Sequence, residues 1–262
     1  MARIAAPELE DYPWFPAPLR DGMTGFLRVA SEVLGMSAVA APLVLEAMAA
    51  SGADRIVDLC SGGGGPVVSL ARRLDTEHDR RPEVVLTDLY PNVAAFERAE
   101  RELPGQVEGR REPTDATRVP ADLRGVRTIF NAFHHLPPEV ARAVLADAAE
   151  HRQPILTFEF VERSLQGAAI AVTIPGAVYA LMPFVRPATA LTLGLTYAAP
   201  VLPAAITWDG LASCLRAYSV AELREMVAPL ERPGYAFRVE RRRVPGRPVF
   251  VTSVVGLPTG AG

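Results

Sequence analysis

The sequence contains no lysine: every basic residue other than histidine is an arginine. This absence excludes Schiff-base chemistry on a lysine and a P-loop, whose motif requires one. Cysteine is also scarce, with only Cys60 and Cys214. Two cysteines fit a reduced, cytoplasmic protein better than a disulfide-stabilised scaffold.

Charge is nearly balanced, with a net charge of −3 and no like-charged block longer than the arginines at 241–243. This argues against the backbone of a nucleic acid as a partner. The first 11 residues show no basic-then-apolar order, so no signal peptide is predicted. With four histidines and no Cys/His ligand spacing, a metal site is not expected either.

The most informative feature present is an apolar run that ends in Asp58 and leads into four glycines, Gly62–Gly65. A helix-forming stretch follows directly. Glycine allows tight turns and close approach of a ligand to the main chain. A strand, a glycine loop and a helix N-terminus in this order are typical of a site for a nucleotide-like ligand.

Short apolar strands alternate with helical stretches along residues 56–160, which predicts a parallel sheet covered by helices. Two β-rich runs around a Pro/Gly turn then predict an antiparallel C-terminal hairpin, and residues 219–222 predict a capped helix before it. The predicted strands are 56–60, 84–87, 107–111, 126–130, 155–160, 235–244 and 249–255, and the predicted helices are 23–34, 39–50, 67–74, 94–101, 138–150 and 219–226.

We predict two parts: an N-terminal helical cap at 1–50 and a ligand-binding domain at 51–262. Within the second, residues 164–208 carry one charge, Arg186. Each half of this insertion is about as long as a membrane span, but prolines interrupt both. We therefore predict buried or lid-forming helices, with a membrane-dipping surface as the alternative.

Acidic residues follow three successive predicted strands: Asp58, Asp88 and Asp115. The carboxyl ends of parallel strands share one edge of a sheet, where ligands bind. There, an acid after the second strand can bind both hydroxyls of a ribose, and a polar group after the third can reach the amine of adenine. A carboxylate beside the glycine loop can bind an ammonium group. Ribose, adenine and ammonium together describe S-adenosylmethionine (SAM).

From these residues onward the chain resembles the class I SAM-dependent methyltransferases. The family's first motif, Asp-x-Gly-x-Gly-x-Gly, corresponds here to Asp58-Leu-Cys-Ser-Gly-Gly-Gly64, with cysteine replacing the first glycine, and residues 131–137 resemble its fourth motif. The resemblance implies a Rossmann-like α/β fold with a seven-stranded, mostly parallel sheet, and SAM as cofactor. The predicted cofactor-binding residues are Asp58, Cys60, Ser61, Gly62, Gly64, Asp88, Leu89, Asp115, Ala116 and Asn131.

A dinucleotide-binding fold is the nearest competitor because it shares an acid after the second strand. Its Gly-x-Gly-x-x-Gly motif needs a third glycine for helix–strand packing. Counted from Gly62, that position is Val67. The predicted antiparallel hairpin also favours the methyltransferase fold.

Histidines follow the fourth predicted strand, where a general base would serve a hydroxyl or amine nucleophile. The catalytic candidates are His134, His135 and Glu159. Alternatively, the histidines begin a helix and form hydrogen bonds with the backbone. The alternative for Glu159 is a surface or capping role.

Four residues outside these motifs are predicted to bind the acceptor substrate: Trp14, Tyr179, Asp209 and Arg216. Arg216 could bind a substrate carboxylate, or an Asp209–Arg216 pair could pin the apolar insertion. Trp14 could close over the substrate or anchor an N-terminal arm.

The sequence thus predicts methyl transfer from SAM to a small, partly apolar organic acceptor. Three alternatives stay open: cyclisation of the SAM side chain, methylation of a lipid or quinone at a membrane, and SAM binding without catalysis. The expected partner is the small-molecule acceptor, and a homodimer is also considered.

Overall fold

The computed structural model describes residues 2–12 and 14–260. The chain divides into two compact units. The sheet unit comprises Leu34–Phe160 and Val220–Gly262, and the helical unit comprises Met1–Val33 and Val161–Ser219.

The strands all belong to the sheet unit, and the helices are shared between the two units. The strands are β1 (Arg55–Asp58), β2 (Glu83–Leu86), β3 (Val107–Gly109), β4 (Val126–Phe130), β5 (Ile155–Glu159), β6 (Tyr235–Arg243) and β7 (Phe250–Pro258). Along the described residues, the α-helices are α1 (Ala17–Leu34), α2 (Met36–Ser51), α3 (Gly65–His78), α4 (Val93–Glu102), α5 (Pro138–Glu150), α6 (Leu165–Val172), α7 (Ile174–Leu181), α8 (Ala190–Leu193), α9 (Val201–Arg216) and α10 (Val220–Val227).

The strands form one seven-stranded sheet in the order β3-β2-β1-β4-β5-β7-β6. β1 to β5 are parallel, and β7 runs antiparallel to both β5 and β6. The chain builds outward from β1 to β3 and then returns to the other side of β1, which places a topological switch between β1 and β4. This confirms the predicted fold class.

Helices cover the sheet because its central strands are buried along their whole length and need apolar partners. α2 contacts α3 and also lies against β4, β5 and β7, while α4 packs on β3. α5 and α10 contact each other and pack on β7 and β6, respectively. The core of the sheet unit is therefore a helix–sheet–helix sandwich of aliphatic side chains.

Most boundaries of the predicted elements agree with the structure to within four residues, although α1 begins six residues before the predicted range 23–34. The predicted ranges 126–130 and 138–150 coincide with β4 and α5. The two compact units do not coincide with the predicted parts at 1–50 and 51–262: the contacts group α2 with the sheet unit and residues 161–219 with the helical unit.

The helical unit has its own apolar core. Phe15, α1, α7 and α9 contribute to it, together with the turn after α7. Its buried members are Phe15, Met23, Phe26, Val178, Met182, Val185, Leu202, Ala205 and Ile206. The predicted insertion at 164–208 therefore supplies much of this core, although many of its large apolar side chains, such as Leu165 and Val172, are exposed.

Among the described residues, no individual helix has both the length and the apolar character needed to cross a membrane, whereas three sharply bent helix pairs meet these criteria by length and composition.

A buried ion pair joins β4 to α5. Nη1 of Arg127 donates to Oδ2 of Asp147 at 2.6 Å, and the two residues are 2% and 6% exposed. Removing one partner of such a pair leaves an uncompensated buried charge. By contrast, the pair between Arg55 and Glu83, at 2.9 Å, lies at the surface.

We expect Asp147→Ala to lower the free energy of unfolding by about 3–5 kcal/mol. Glu83→Ala, which breaks the surface pair, should lower it by no more than about 1 kcal/mol. Urea denaturation followed by circular dichroism measures both. Equal effects of the two substitutions would contradict the assignment of Arg127–Asp147 as a buried ion pair.

Candidate functional site

The carboxyl edge of the sheet gathers most of the residues singled out from the sequence. Asp58 is the last residue of β1, Asp88 and Asp115 follow β2 and β3, and Asn131 follows β4. Because these four strands are neighbours in the order β3-β2-β1-β4, their loops lie side by side on both sides of the topological switch. Ligands of open α/β sheets bind at this position.

The loop between β1 and α3 has a backbone that few residues adopt. Cys60 has φ +55° and Gly62 has φ +50°, in the left-handed region that favours glycine. A side chain at Gly62 would meet nothing within 4 Å. The main chain at Gly62 is therefore open to close approach by a ligand.

Hydrogen bonds tie this loop to the end of β2. The Ser61 amide donates to the Thr87 carbonyl at 2.9 Å, and the Thr87 amide donates to the Asp58 carbonyl at 2.9 Å. The Ser61 hydroxyl adds a bond to the Asp58 carbonyl at 2.8 Å. These bonds hold the loop in its left-handed conformation.

Asp88 links the loops after β1 and β2. Its Oδ2 accepts a hydrogen bond from the Gly62 amide at 2.9 Å, and its Oδ1 accepts one from the Tyr90 amide, also at 2.9 Å. Asp88 is half-buried, whereas Leu89 next to it is 48% exposed. The carboxylate thus lies beside the glycine loop and keeps lone pairs for further donors.

Asp58 is the buried acid of the site. It is 3% exposed, and its Oδ1 accepts a hydrogen bond from the Thr128 hydroxyl at 2.6 Å. Burial away from water raises the pKa of Asp58 to about 7, against the opposing effect of the Thr128 hydrogen bond. The Asp58 carboxyl therefore changes charge near neutral pH.

Asp115 has a different environment. It is exposed, and its Oδ1 accepts hydrogen bonds from the Thr117 hydroxyl at 2.7 Å and the Thr117 amide at 2.8 Å. These bonds lower the pKa of the Asp115 carboxyl. The Thr114 amide donates to the Asp88 carbonyl at 2.8 Å, so Asp115 and the half-buried Ala116 lie in a loop fixed to the one after β2.

Cys60 has the properties of a structural loop residue. Burial raises the pKa of its thiol to about 12, and the carboxylates of Asp88, Asp58 and Asp115 act in the same direction. The thiol is therefore protonated at neutral pH and is a poor nucleophile.

His134 and Glu159 form a buried pair at the ends of β4 and β5. Nδ1 of His134 lies 2.6 Å from Oε2 of Glu159, and the Phe133 amide donates to Oε1 of Glu159 at 2.7 Å. Because a carboxylate accepts the Nδ1 proton, the lone pair of the neutral ring lies on Nε2. The half-buried His135 places its ring 4.3 Å from that of His134.

Asn131 joins β4 to β5 at the same edge. It has φ +48°, its amide donates to the Phe158 carbonyl at 2.8 Å, and its Oδ1 accepts from the Phe160 amide at 3.0 Å. These bonds fix the start of the turn that carries His134.

Two of the predicted substrate-binding residues anchor the N-terminal segment inside the helical unit. Asp209 accepts hydrogen bonds from the amides of Leu9 and Glu10, at 2.7 and 3.2 Å. Arg216 pairs with Asp11 and lies 3.4 Å from Glu8. These contacts give both residues an anchoring role: Asp209 binds backbone amides of the N-terminal segment and Arg216 binds its acids. The assignment of Asp209 and Arg216 to the substrate remains a prediction.

Trp14 and Tyr179 lie at the surface of the helical unit. Trp14 is 66% exposed and stacks on Tyr12, with ring centroids 5.4 Å apart. Tyr179 is 40% exposed, and its carbonyl accepts a hydrogen bond from the Tyr197 hydroxyl at 2.6 Å. Their assignment to the substrate remains a prediction.

Carboxylate oxygens of Glu8, Glu10 and Asp209 lie within 4.8 Å of one another, a spacing that a cation could use. Both oxygens of Asp209 already accept backbone hydrogen bonds. The group therefore has a structural explanation, and the expectation of no metal stays a prediction.

The sequence analysis did not identify three threonines whose hydroxyls form hydrogen bonds in the site. Thr128 donates to the Asp58 carboxyl, Thr87 to the Asp58 carbonyl at the start of the loop, and Thr117 to the Asp115 carboxyl. The role of Thr117 could have been predicted from the sequence, because a Thr two residues after an Asp is a local turn signal. The role of Thr128 could not, because its contact with Asp58 depends on the register between β1 and β4.

The raised pKa of Asp58 predicts that the free energy of unfolding depends on pH. The folded-state pKa of about 7 lies above the unfolded value of 3.8. The contribution of the protonated Asp58 carboxyl to the free energy of unfolding is therefore fully present below about pH 4 and is lost as the pH rises to about 7. Relative to Asp58→Asn, the wild-type protein should lose on the order of 4 kcal/mol of unfolding free energy across this range.

Urea denaturation at several pH values from 4 to 8 measures this difference. Asp75→Asn, at an exposed position of α3, is the matched control and should show no such trend. A constant difference between wild type and Asp58→Asn would show that Asp58 ionises normally.

No protein-family model and no curated protein matches the chain. Among solved structures, the plantazolicin methyltransferase BpumL in complex with SAH is similar, with a TM-score of 0.54, 10% sequence identity, and coverage of 90% of this chain and 86% of that chain. The pyocyanin biosynthetic protein PhzM is similar with a TM-score of 0.51 and 12% identity, over 87% of this chain and 56% of that chain. At such low identity the likeness concerns the fold. The sheet order, the reversed last strand and the likeness to BpumL together show that the chain has the class I SAM-dependent methyltransferase fold.

Proposed function

We propose that this protein is an enzyme that binds S-adenosylmethionine and transfers its methyl group to a small organic acceptor with substantial apolar surface. The main observation behind this proposal is the hydrogen bond from the Gly62 amide to Asp88 at the topological switch. It places a half-buried carboxylate next to an open glycine backbone. BpumL, which has this fold, is named as a methyltransferase and is in complex with SAH.

The residues present fit this cofactor. Asp88 is positioned for ribose hydroxyls, because its two oxygens accept hydrogen bonds from the Gly62 and Tyr90 amides and retain lone pairs. Asp58 can become negative near neutral pH and so can bind an ammonium group beside the loop. Asp115, already ionised and exposed, suits the amine of the adenine.

The loop does not fit a pyrophosphate equally well. Val67 occupies the third glycine position of a dinucleotide motif and is fully buried. Carboxylates at Asp58 and Asp88 flank the glycines, and both would repel a diphosphate. A cationic, phosphate-free ligand is therefore favoured.

When bound, SAM supplies an electrophilic methyl group on a sulfonium. The protein's contribution is to align the acceptor with that methyl, to exclude water and to take up the acceptor's proton. Alignment alone can lower the barrier by on the order of 7 kcal/mol. We assign proton uptake to Nε2 of His134, because Glu159 binds the opposite nitrogen and stabilises the charged ring.

Asp88→Ala tests the cofactor role. A charge-assisted hydrogen bond contributes about 1.5–3 kcal/mol, so the Kd for SAM should rise roughly 10- to 100-fold by calorimetry. Glu108→Ala, which removes an exposed acid from β3, should leave the Kd unchanged. An unchanged Kd in Asp88→Ala, with the fold intact by circular dichroism, would remove Asp88 from the ribose role.

His134→Ala tests the base. Turnover is measured as S-adenosylhomocysteine released with hydroxylated and aminated small aromatic compounds, and the substitution should lower kcat by about 100-fold or more. The Kd for SAM should change little. His78→Ala, on the exposed end of α3, is the control.

Two outcomes count against the proposal. Full kcat in His134→Ala would mean that no base is needed there. Methylthioadenosine as the product, instead of S-adenosylhomocysteine, would indicate cyclisation of the SAM side chain and overturn methyl transfer.

A further inference from the structure

The helical unit contains a cavity of about 330 Å³ between α6, α9 and the N-terminal segment. Its apolar wall consists of Ala6, Ala168, Trp208, Leu211, Ala212 and Leu215. The remaining wall is formed by residues 162–164 and Cys214. The volume is at the small end of the range for ligand-binding pockets.

The size of the cavity indicates the size of its ligand. An engineered apolar cavity of about 150 Å³ binds one benzene ring. The present cavity is about twice as large. Two fused six-membered rings therefore match it, whereas a single ring would leave much of the wall without contacts.

Trp208 provides a flat, fixed wall. Its Nε1 donates a hydrogen bond to the Pro7 carbonyl at 3.1 Å, which sets the plane of the indole. The ring is nevertheless 52% exposed. An aromatic face that is held in place and open to solvent favours a planar, stacked ligand.

The start of α6 forms another part of the wall. The Gly167 amide donates to the Ser164 hydroxyl at 3.0 Å, which caps the helix. A Cβ atom at Gly167 would lie 2.0 Å from the Glu162 carbonyl oxygen, so only glycine permits this close approach. The result is that Ala168, a small and exposed residue, faces the cavity.

The cavity offers little to a charged ligand. Burial raises the pKa of the Cys214 thiol, which stays neutral at physiological pH. Although Glu162 and Arg163 contribute to the wall, the surface that the wall presents to the cavity is almost wholly apolar. The ligand must therefore be bound by apolar contact.

We propose that this cavity binds an uncharged group of two fused aromatic rings. The binding does not depend on the proposed function. Ala168 sets the upper limit on the size of the ring system.

Calorimetry with 2-naphthol tests the binding. Ala168→Phe, which fills the cavity, should raise the Kd for 2-naphthol by about tenfold or more. Ala169→Phe, at the next exposed position of α6 and outside the cavity wall, should leave it within twofold. Naphthalene-2-sulfonate, which has the same rings and a permanent charge, should bind the wild type at least tenfold more weakly.

The outcomes separate the two proposals. Equal Kd values for Ala168→Phe and Ala169→Phe, in proteins with unchanged melting temperatures, would overturn the cavity assignment. In Asp88→Ala, 2-naphthol should bind as in the wild type even though SAM does not.

Discussion

The structure of the carboxyl edge of the sheet depends on the hydrogen bonds that join the glycine loop to the end of β2. The loop places Cys60 and Gly62 in left-handed conformations, which a free chain would rarely adopt. Backbone bonds to Thr87 and the carboxylate of Asp88 hold it there. Because these bonds come from the neighbouring strand, the loop is formed only when the parallel sheet is formed.

The two buried acids of this edge have different hydrogen-bond partners, and this difference gives them different chemistry. Asp58 is bonded to a hydroxyl, which cannot supply positive charge, so burial dominates and its carboxyl titrates near pH 7. Glu159 is bonded to a histidine and to a backbone amide. The first arrangement suits a cationic ligand that supplies the missing charge, and the second suits a ring that gains a proton during a reaction.

The helical unit anchors its N-terminal segment beside an apolar cavity. Its N-terminal segment is tied by Asp209 and Arg216, two residues whose side chains would otherwise be candidates for ligand binding. Tying the segment also fixes Pro7, whose carbonyl orients Trp208 at the cavity. The apolar composition of residues 164–208 therefore has two consequences here, a core of its own and a cavity with an apolar wall.

The sequence by itself determined the architecture of the sheet unit and the residue types at the carboxyl edge of the sheet. Alternating apolar strands and helices, glycines after Asp58 and acids after three strands are local patterns, and they predicted the fold, the loop and the placement of Asp88 and Asp115. Tertiary structure alone decided which partners these residues have. The Thr128–Asp58 bond, the His134–Glu159 pair and the capture of the N-terminal segment by Asp209 join residues that are 25 to 200 positions apart. Such contacts depend on strand register and helix packing, which are set by the burial of the whole core and not by the sequence near either partner.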